Sequence, residues 1–231
     1  MTIFASYFVL LEFFDFSKDF LIEMFIAPIV TVFYLFKVKN KPTFLSLFLI
    51  TYSISDIINF FDQESYNEHM YFLCNGLYML SYVFLFLELN KTVNMKEILK
   101  KFPIHFAVLT LLNIYIVFVM ATIINPITFE TDHIEFVRIF EHVYNIILLG
   151  LLSMSFFNYL LNENNKALLL FSGCLALTFF EFLLIGYYYL SEEMSIIRIV
   201  SILLELCAFL MFYFSATITF KSHAANNYEE Y

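Results

Sequence analysis

Acidic side chains occur inside apolar runs of this chain, an unusual position for a charged group. Asp56, Glu141, Glu181 and Glu205 lie in such runs, and His142 stands beside Glu141. Ionisable groups at bilayer depth are energetically costly unless they are paired or hydrated, and they commonly serve a function. Two carboxyl groups in unlike environments can act as general acid and general base. Asp56 and Glu181 have no basic partner at helical spacing in their own runs, so we predict that they form a catalytic pair. The sequence does not assign the two roles.

Other polar side chains recur at helical spacing around these acids. They are Tyr52, Asn59, Asn75, Tyr78, Tyr82, Tyr144, Asn145, Arg198 and Ser201. We expect substrate-binding residues among them: Asn75, Tyr78, Tyr82 and Tyr144 would hold a headgroup and water, and Arg198 would meet a lipid phosphate. Glu205 is expected in the same pocket. An alternative stays open, in which the polar groups only join helices, Arg138 pairs with Glu141 in its own helix, and Arg198 pairs with a neighbouring carboxylate.

The composition places these residues in a membrane. Hydrophobic residues make up 61% of the 231 residues and charged residues 14%, with a mean hydropathy of +0.80. A soluble domain carries roughly 25% charged residues. The apolar runs have the length that helices need to cross a bilayer, and the alternation typical of barrel strands is not seen. The sequence therefore predicts an all-α, polytopic membrane helix bundle that forms one transmembrane domain over residues 1–231.

Polar breaks between the apolar runs predict eight transmembrane helices. They span residues 3–16, 20–36, 43–61, 67–89, 103–124, 134–161, 166–190 and 196–220. The first run is short and carries Glu12 and Asp15, so the count becomes seven if it does not span.

The distribution of basic residues predicts the orientation of the bundle. Nine of the twelve Lys and Arg residues fall on one face: Lys37, Lys39, Lys41, Lys91, Lys96, Lys100, Lys101, Lys166 and Lys221. The positive-inside rule makes this face cytoplasmic and places both termini there if the first helix spans. The intramembrane carboxyl groups then lie roughly 8 to 14 Å below the outer surface. We expect a multi-pass protein of a bacterial inner (plasma) membrane.

Several activities lack the residues they require. His142 is the one histidine deep in a predicted helix, so a three-histidine zinc site cannot be built there. A retinal pigment needs a lysine in the middle of the last helix, whereas Lys221 lies at its end. No G-x-S-x-G motif surrounds a serine. We expect no metal, no cofactor and no nucleic-acid partner. A proton or small-molecule transporter and a non-catalytic sensor or assembly protein remain alternatives to an enzyme.

Four segments resemble the YhhN-like membrane proteins, a family that includes the animal lysoplasmalogenases. They are Ile26–Val30 leading to Phe36–Lys41, Ser53–Ile57, Phe72–Tyr82 and Ser172–Phe182. The resemblance covers most of the chain but rests on short, degenerate patterns. The chain departs from the family at two positions, because Ala27 stands where the family has lysine and Glu181 where it has a second aspartate.

The resemblance implies an eight-helix fold and a lipid substrate. Lysoplasmalogenases hydrolyse the vinyl ether bond of alkenyl lysophospholipids. The expected partner is therefore a membrane lipid, a lysophospholipid-like substrate, with Asp56 and Glu181 as the reacting carboxyl groups.

Overall fold

The computed structural model describes residues 23–62, 68–125, 134–190 and 195–218, and the regular structure within these ranges is helical. Eight helices are found there: α1 (Ile26–Lys37), α2 (Thr43–Asp62), α3 (Glu68–Asn90), α4 (Met95–Lys101), α5 (Pro103–Ile124), α6 (Ile134–Asn162), α7 (Asn165–Leu190) and α8 (Ser195–Thr217). Six of them, α2, α3 and α5 to α8, are long and apolar enough to cross a membrane. The chain is a multi-pass helical membrane protein.

The helices of the bundle begin and end close to the predicted boundaries. The predicted helix at 3–16 lies outside the described residues, as do residues 20–22 of the second. In the described part of that second helix, a turn at Met24 and Phe25 precedes α1, which begins at Ile26. Pro28 falls in the first turn of α1, where its missing N–H is not needed by the helix.

A short helix that the sequence did not predict, α4, lies in the loop after α3. Asn94 caps it by accepting a hydrogen bond from the backbone N–H of Lys96 at 3.1 Å, and Lys100 and Lys101 stand in its last turn. Cations in the last turn are favoured by the helix dipole. Ile98 is fully buried while Lys96 and Lys100 are exposed. The helix therefore packs one apolar side chain on the bundle and presents lysines on the basic face.

Helices α7 and α8 pack closely where Gly173 faces Phe212. A Cβ atom on Gly173 would lie 2.7 Å from Cε1 of the Phe212 ring, so only glycine leaves room for this contact. Phe212 and its neighbours Phe209 and Phe48 are fully buried, with ring centroids 5.1 to 6.1 Å apart. Small residues that admit close packing are a common source of helix association in membranes, where lipid is as apolar as the side chains.

Helix α5 is the most peripheral of the six spanning helices. Only 11% of the most apolar stretch of α5 is buried inside the bundle, compared with 50% for α6. Within the described part of the chain, α5 packs mainly against α6 and α4. Its exposed face is expected to meet lipid.

Candidate active site

The polar residues of five spanning helices surround one cavity of about 190 Å³. Its walls come from α2, α3, α6, α7, α8 and the segment before α1: Glu23, Met24, Tyr52, Asp56, Asn59, Asn75, Tyr78, Tyr144, Phe180, Glu181, Leu184 and Glu205. Asp56, Glu181 and Glu205 therefore line the same cavity.

The cavity lies in the half of the bundle near the acidic loops, the connecting segments 63–67, 126–133 and 191–194, whose sequences include Glu64, Glu130, Asp132, Glu192 and Glu193. Asp56, Glu181 and Glu205 stand six, nine and ten residues from the helix ends at Asp62, Leu190 and Ser195. These separations correspond to depths of about 9 to 15 Å at 1.5 Å per residue. The three helix ends belong to the same side of the bundle because the connecting segments alternate between its two sides. A common depth is what lets side chains from separate helices meet.

Asp56 is buried and its two carboxyl oxygens have different surroundings. Oδ1 accepts a hydrogen bond from the Tyr78 hydroxyl at 2.6 Å. Oδ2 is buried and has no hydrogen-bond partner among the described residues. A buried oxygen without a partner is costly. Oδ2 is therefore the Asp56 atom whose hydrogen bonding is left unsatisfied in the described part of the chain.

One carboxyl oxygen of Glu181 accepts hydrogen bonds from two hydroxyl groups. The hydroxyls of Tyr82 and Tyr144 both donate to Oε1, the latter at 2.8 Å, and the two hydroxyl oxygens lie 3.1 Å apart. Donors directed at a carboxyl oxygen stabilise its ionised form. Glu181 is thus held in place and surrounded by donors, in contrast to Asp56.

Glu205 adds a third carboxyl group from α8. It is 2% exposed, and its Oε2 atom has no hydrogen-bond partner within the described ranges. Tyr52 and Tyr78 also line the cavity, and their ring centroids lie 4.7 Å apart.

A fourth carboxyl group, Glu23, was missed in the sequence. It is buried before α1 and its carboxylate contacts the guanidinium of Arg198 in the first turn of α8. The Tyr187 ring lies 5.6 Å from the same guanidinium. Glu23 stands at the start of an apolar run, as Arg198 does. This shared position is the sequence signal that could have predicted their pairing. This ion pair is the alternative left open for Arg198 in the sequence.

The other predicted binding residues divide between the cavity wall and the layer behind it. Asn75, Tyr78 and Tyr144 line the cavity. Tyr82 is fully buried and contacts Glu181 from behind, so its place is that of a positioning residue. Arg198 likewise stands behind Glu23.

Glu141 and His142 form contacts elsewhere. Glu141 accepts a hydrogen bond from the Tyr71 hydroxyl, and Nε2 of His142 lies 3.1 Å from Oδ1 of Asn125. Neither residue lines the cavity. The structure therefore separates these two groups from the three carboxyls with which the sequence analysis grouped them.

The charges around the cavity do not balance. Four carboxyl groups line it, and Arg198 forms an ion pair with one of them, Glu23. A poorly hydrated interior does not stabilise several unpaired carboxylates at once. An excess of carboxyl groups over cations in one cavity is a setting that suits acid–base chemistry. Within the described residues, no group of three or more His, Cys, Asp or Glu side chains is arranged to hold a metal ion.

No family model matches this chain, and no match is found among curated proteins or solved structures. The fold and the cavity define it as a helical membrane protein with a buried acidic site. The resemblance to the YhhN-like family stays a prediction.

Proposed function

We propose that the protein is a membrane hydrolase that cleaves the vinyl ether bond of an alkenyl lysophospholipid with Asp56 and Glu181. The observation that carries this proposal is the placement of both carboxyl groups on one cavity in unlike environments. The resemblance to lysoplasmalogenases points to the same substrate. The positive-inside distribution of lysines supports an inner (plasma) membrane location with the cavity in the outer half.

The hydrogen bonds support a division of roles. Asp56 has a buried oxygen without a partner, which suits a carboxylic acid that donates its proton into the cavity. Glu181 receives two tyrosine hydroxyls, which suits a carboxylate that stabilises positive charge and accepts a proton from water. Tyr82 positions Glu181. Asn75 and Tyr144 would contact the substrate or the attacking water.

In the resulting reaction, every proton that one group loses is accepted by another. Asp56 protonates the β-carbon of the vinyl ether, and the adjacent carbon becomes an oxocarbenium ion that the Glu181 carboxylate stabilises. Water adds to this carbon and gives a proton to Glu181, forming a hemiacetal. Glu181 returns that proton to the ether oxygen as the alcohol leaves, while the hemiacetal hydroxyl proton returns to Asp56. The products are an aldehyde and a glycerol hydroxyl, with both carboxyl groups restored.

The direct test is aldehyde release by the purified full chain from an alkenyl lysophospholipid. We expect Asp56→Asn and Glu181→Gln to lose about 10²- to 10⁴-fold in rate, the usual contribution of a general acid or base. Each amide is close in shape and removes a buried charge, so folding should be kept. The matched control is Glu141→Gln, which removes an intramembrane carboxyl group outside the cavity.

A second measurement uses deuterium to follow the proton that the enzyme adds to the vinyl ether. In D₂O the aldehyde should carry one deuterium on the carbon next to the carbonyl, because that carbon is protonated from the enzyme. Aldehyde incubated with the Asp56→Asn variant measures non-enzymatic exchange. No aldehyde from any alkenyl lipid would refute the hydrolase and favour proton relay or transport through the same carboxyl groups. Full rates in both amide variants would move the chemistry away from the cavity, with Glu141 and His142 tested next.

A further inference from the structure

A second and larger space lies between α3, α5 and α6, in the half of the bundle near the basic loops. This groove has a volume of about 330 Å³ and is lined mainly by apolar side chains, among them Phe86, Phe106, Leu109, Met154 and Phe157. It exists because α5 packs on α6 without closing against α3 along the groove. Gly150 on α6 contributes to the space, since a Cβ atom there would meet no other atom within 4 Å.

The groove is apolar over most of its surface and has few polar groups to satisfy. Asn113 on α5 donates a hydrogen bond to Ser153 on α6 at 2.6 Å, and Ser153 donates to the Leu149 carbonyl at 2.9 Å. A hydrocarbon chain is the occupant that such a surface favours in a bilayer, because it fills the space without leaving a polar group unpaired.

The groove runs to the basic face at Asn90, the last residue of α3, and Met95, the first residue of α4. Four lysines stand at this end, and two of them have partners. Lys91 pairs with Glu88 at 2.8 Å and Lys101 pairs with Glu97 at 2.6 Å. The other two are Lys96 and Lys100.

Lys96 and Lys100 are free to bind an anion. Both side chains are exposed and have no carboxylate partner in the part of the chain that the structure describes. They are four residues apart on α4, so they stand on one face of that helix. Lys96 directly follows Met95, which lines the groove. Basic pockets at the cytoplasmic ends of transmembrane helices are suited to anionic lipid headgroups.

We propose that the groove binds one acyl chain of an anionic phospholipid whose phosphate lies on Lys96 and Lys100. Charge complementarity at the end of the groove and its continuity with α4 favour this occupant. The site is separate from the acidic cavity, and the proposal does not depend on the hydrolase activity.

The test is lipid binding to the detergent-solubilised full chain, measured by native mass spectrometry and by thermal unfolding. The probes are phosphatidylglycerol, phosphatidylcholine with the same acyl chains, and glycerol phosphate, which has no chain. We expect phosphatidylglycerol to bind tightest. Lys96→Gln with Lys100→Gln should weaken it roughly tenfold. The matched control, Lys39→Gln with Lys41→Gln, removes two exposed lysines of the same face and should change binding less than twofold.

A second pair of variants tests the hydrocarbon part. Gly150→Leu fills the groove and should weaken phosphatidylglycerol binding at least tenfold, whereas Gly186→Leu, also in open space, should leave it unchanged. If Gly150→Leu fails to fold, the lysine pair decides. Equal binding of both phospholipids, unchanged binding in the Lys96 and Lys100 variant, or full binding of glycerol phosphate alone would overturn the proposal. A dimer of the wild type that Gly150→Leu abolishes would assign the groove to a second copy of the chain and also overturn it.

Discussion

The two halves of the bundle are built from different side chains and serve different needs. Toward the acidic loops, helices present carboxyl, amide and hydroxyl groups to a cavity of about 190 Å³. Toward the basic loops, Phe48, Phe209 and Phe212 interlock as fully buried rings beside Gly173. The same helices α2, α7 and α8 contribute to both halves. One half supplies the packing that holds these helices together, and the other can therefore leave buried polar atoms without hydrogen-bond partners among the described residues.

Stability and function are separated between the two halves of this fold. Close packing is the main attraction between helices in lipid, so a tightly packed half stabilises the whole bundle. Buried polar atoms without partners cost stability, as Asp56 Oδ2 and Glu205 Oε2 do here. Such costs are typical of sites that bind or react. The following predictions test this separation.

The two faces should differ completely in access to reagents. In a variant whose three native cysteines are replaced by alanine, Glu135→Cys should react with a membrane-impermeant maleimide added outside intact cells. Lys96→Cys should react only after the membrane is opened. Glu135 and Lys96 are both exposed, so burial does not limit either reaction. The reverse pattern would place the acidic cavity in the inner half.

Breaking the ion pair between Glu23 and Arg198 on one side should cause the largest single loss of stability. Arg198→Leu leaves a buried carboxylate without its partner and should lower the free energy of unfolding by about 3–5 kcal/mol. The measurement is denaturant unfolding in micelles. The double variant with Glu23→Gln removes the unpaired charge and should recover much of the loss. A single variant as stable as the wild type would show that the pair contributes nothing.

The packing of α7 on α8 should be sensitive to a single methyl group. Gly173→Ala forces the Phe212 ring to move and should cost about 1–3 kcal/mol, the usual range for overpacking. Gly150→Ala places the same methyl group in open space and should be neutral or slightly stabilising, because alanine is the better helix former. Equal unfolding midpoints for the two variants would contradict the close contact.

The smallest expected effects come from removing one tyrosine hydroxyl in each half of the bundle. On the basic side, the Tyr34 hydroxyl lies 2.8 Å from the Ser46 hydroxyl. On the acidic side, the Tyr78 hydroxyl donates a hydrogen bond to Asp56. Each change to phenylalanine should cost about 0.5–1.5 kcal/mol of stability. Only Tyr78→Phe should also lower the rate of aldehyde release, by less than Asp56→Asn does. A matching loss of rate in Tyr34→Phe would mean that the two halves are not separable.

The helices follow from the sequence because their determinants are local. Apolar runs and polar breaks predicted α2 as 43–61 and α5 as 103–124, and the structure has Thr43–Asp62 and Pro103–Ile124. The depth of Asp56, Glu181 and Glu205 also follows, because it depends only on counting residues from a helix end. Matched depth allowed the three groups to meet but did not decide that they would.

Which faces meet at that depth was decided by tertiary packing. Glu141 stands at a depth similar to that of Glu181, yet it bonds to Tyr71 while Glu181 faces the cavity. The rotation of each helix about its axis depends on contacts such as Gly173 with Phe212, which are far apart in sequence. The pairing of Glu23 with Arg198 joins residues near opposite ends of the chain. No local pattern encodes such a contact, since it forms only when the packed helices bring the two side chains together.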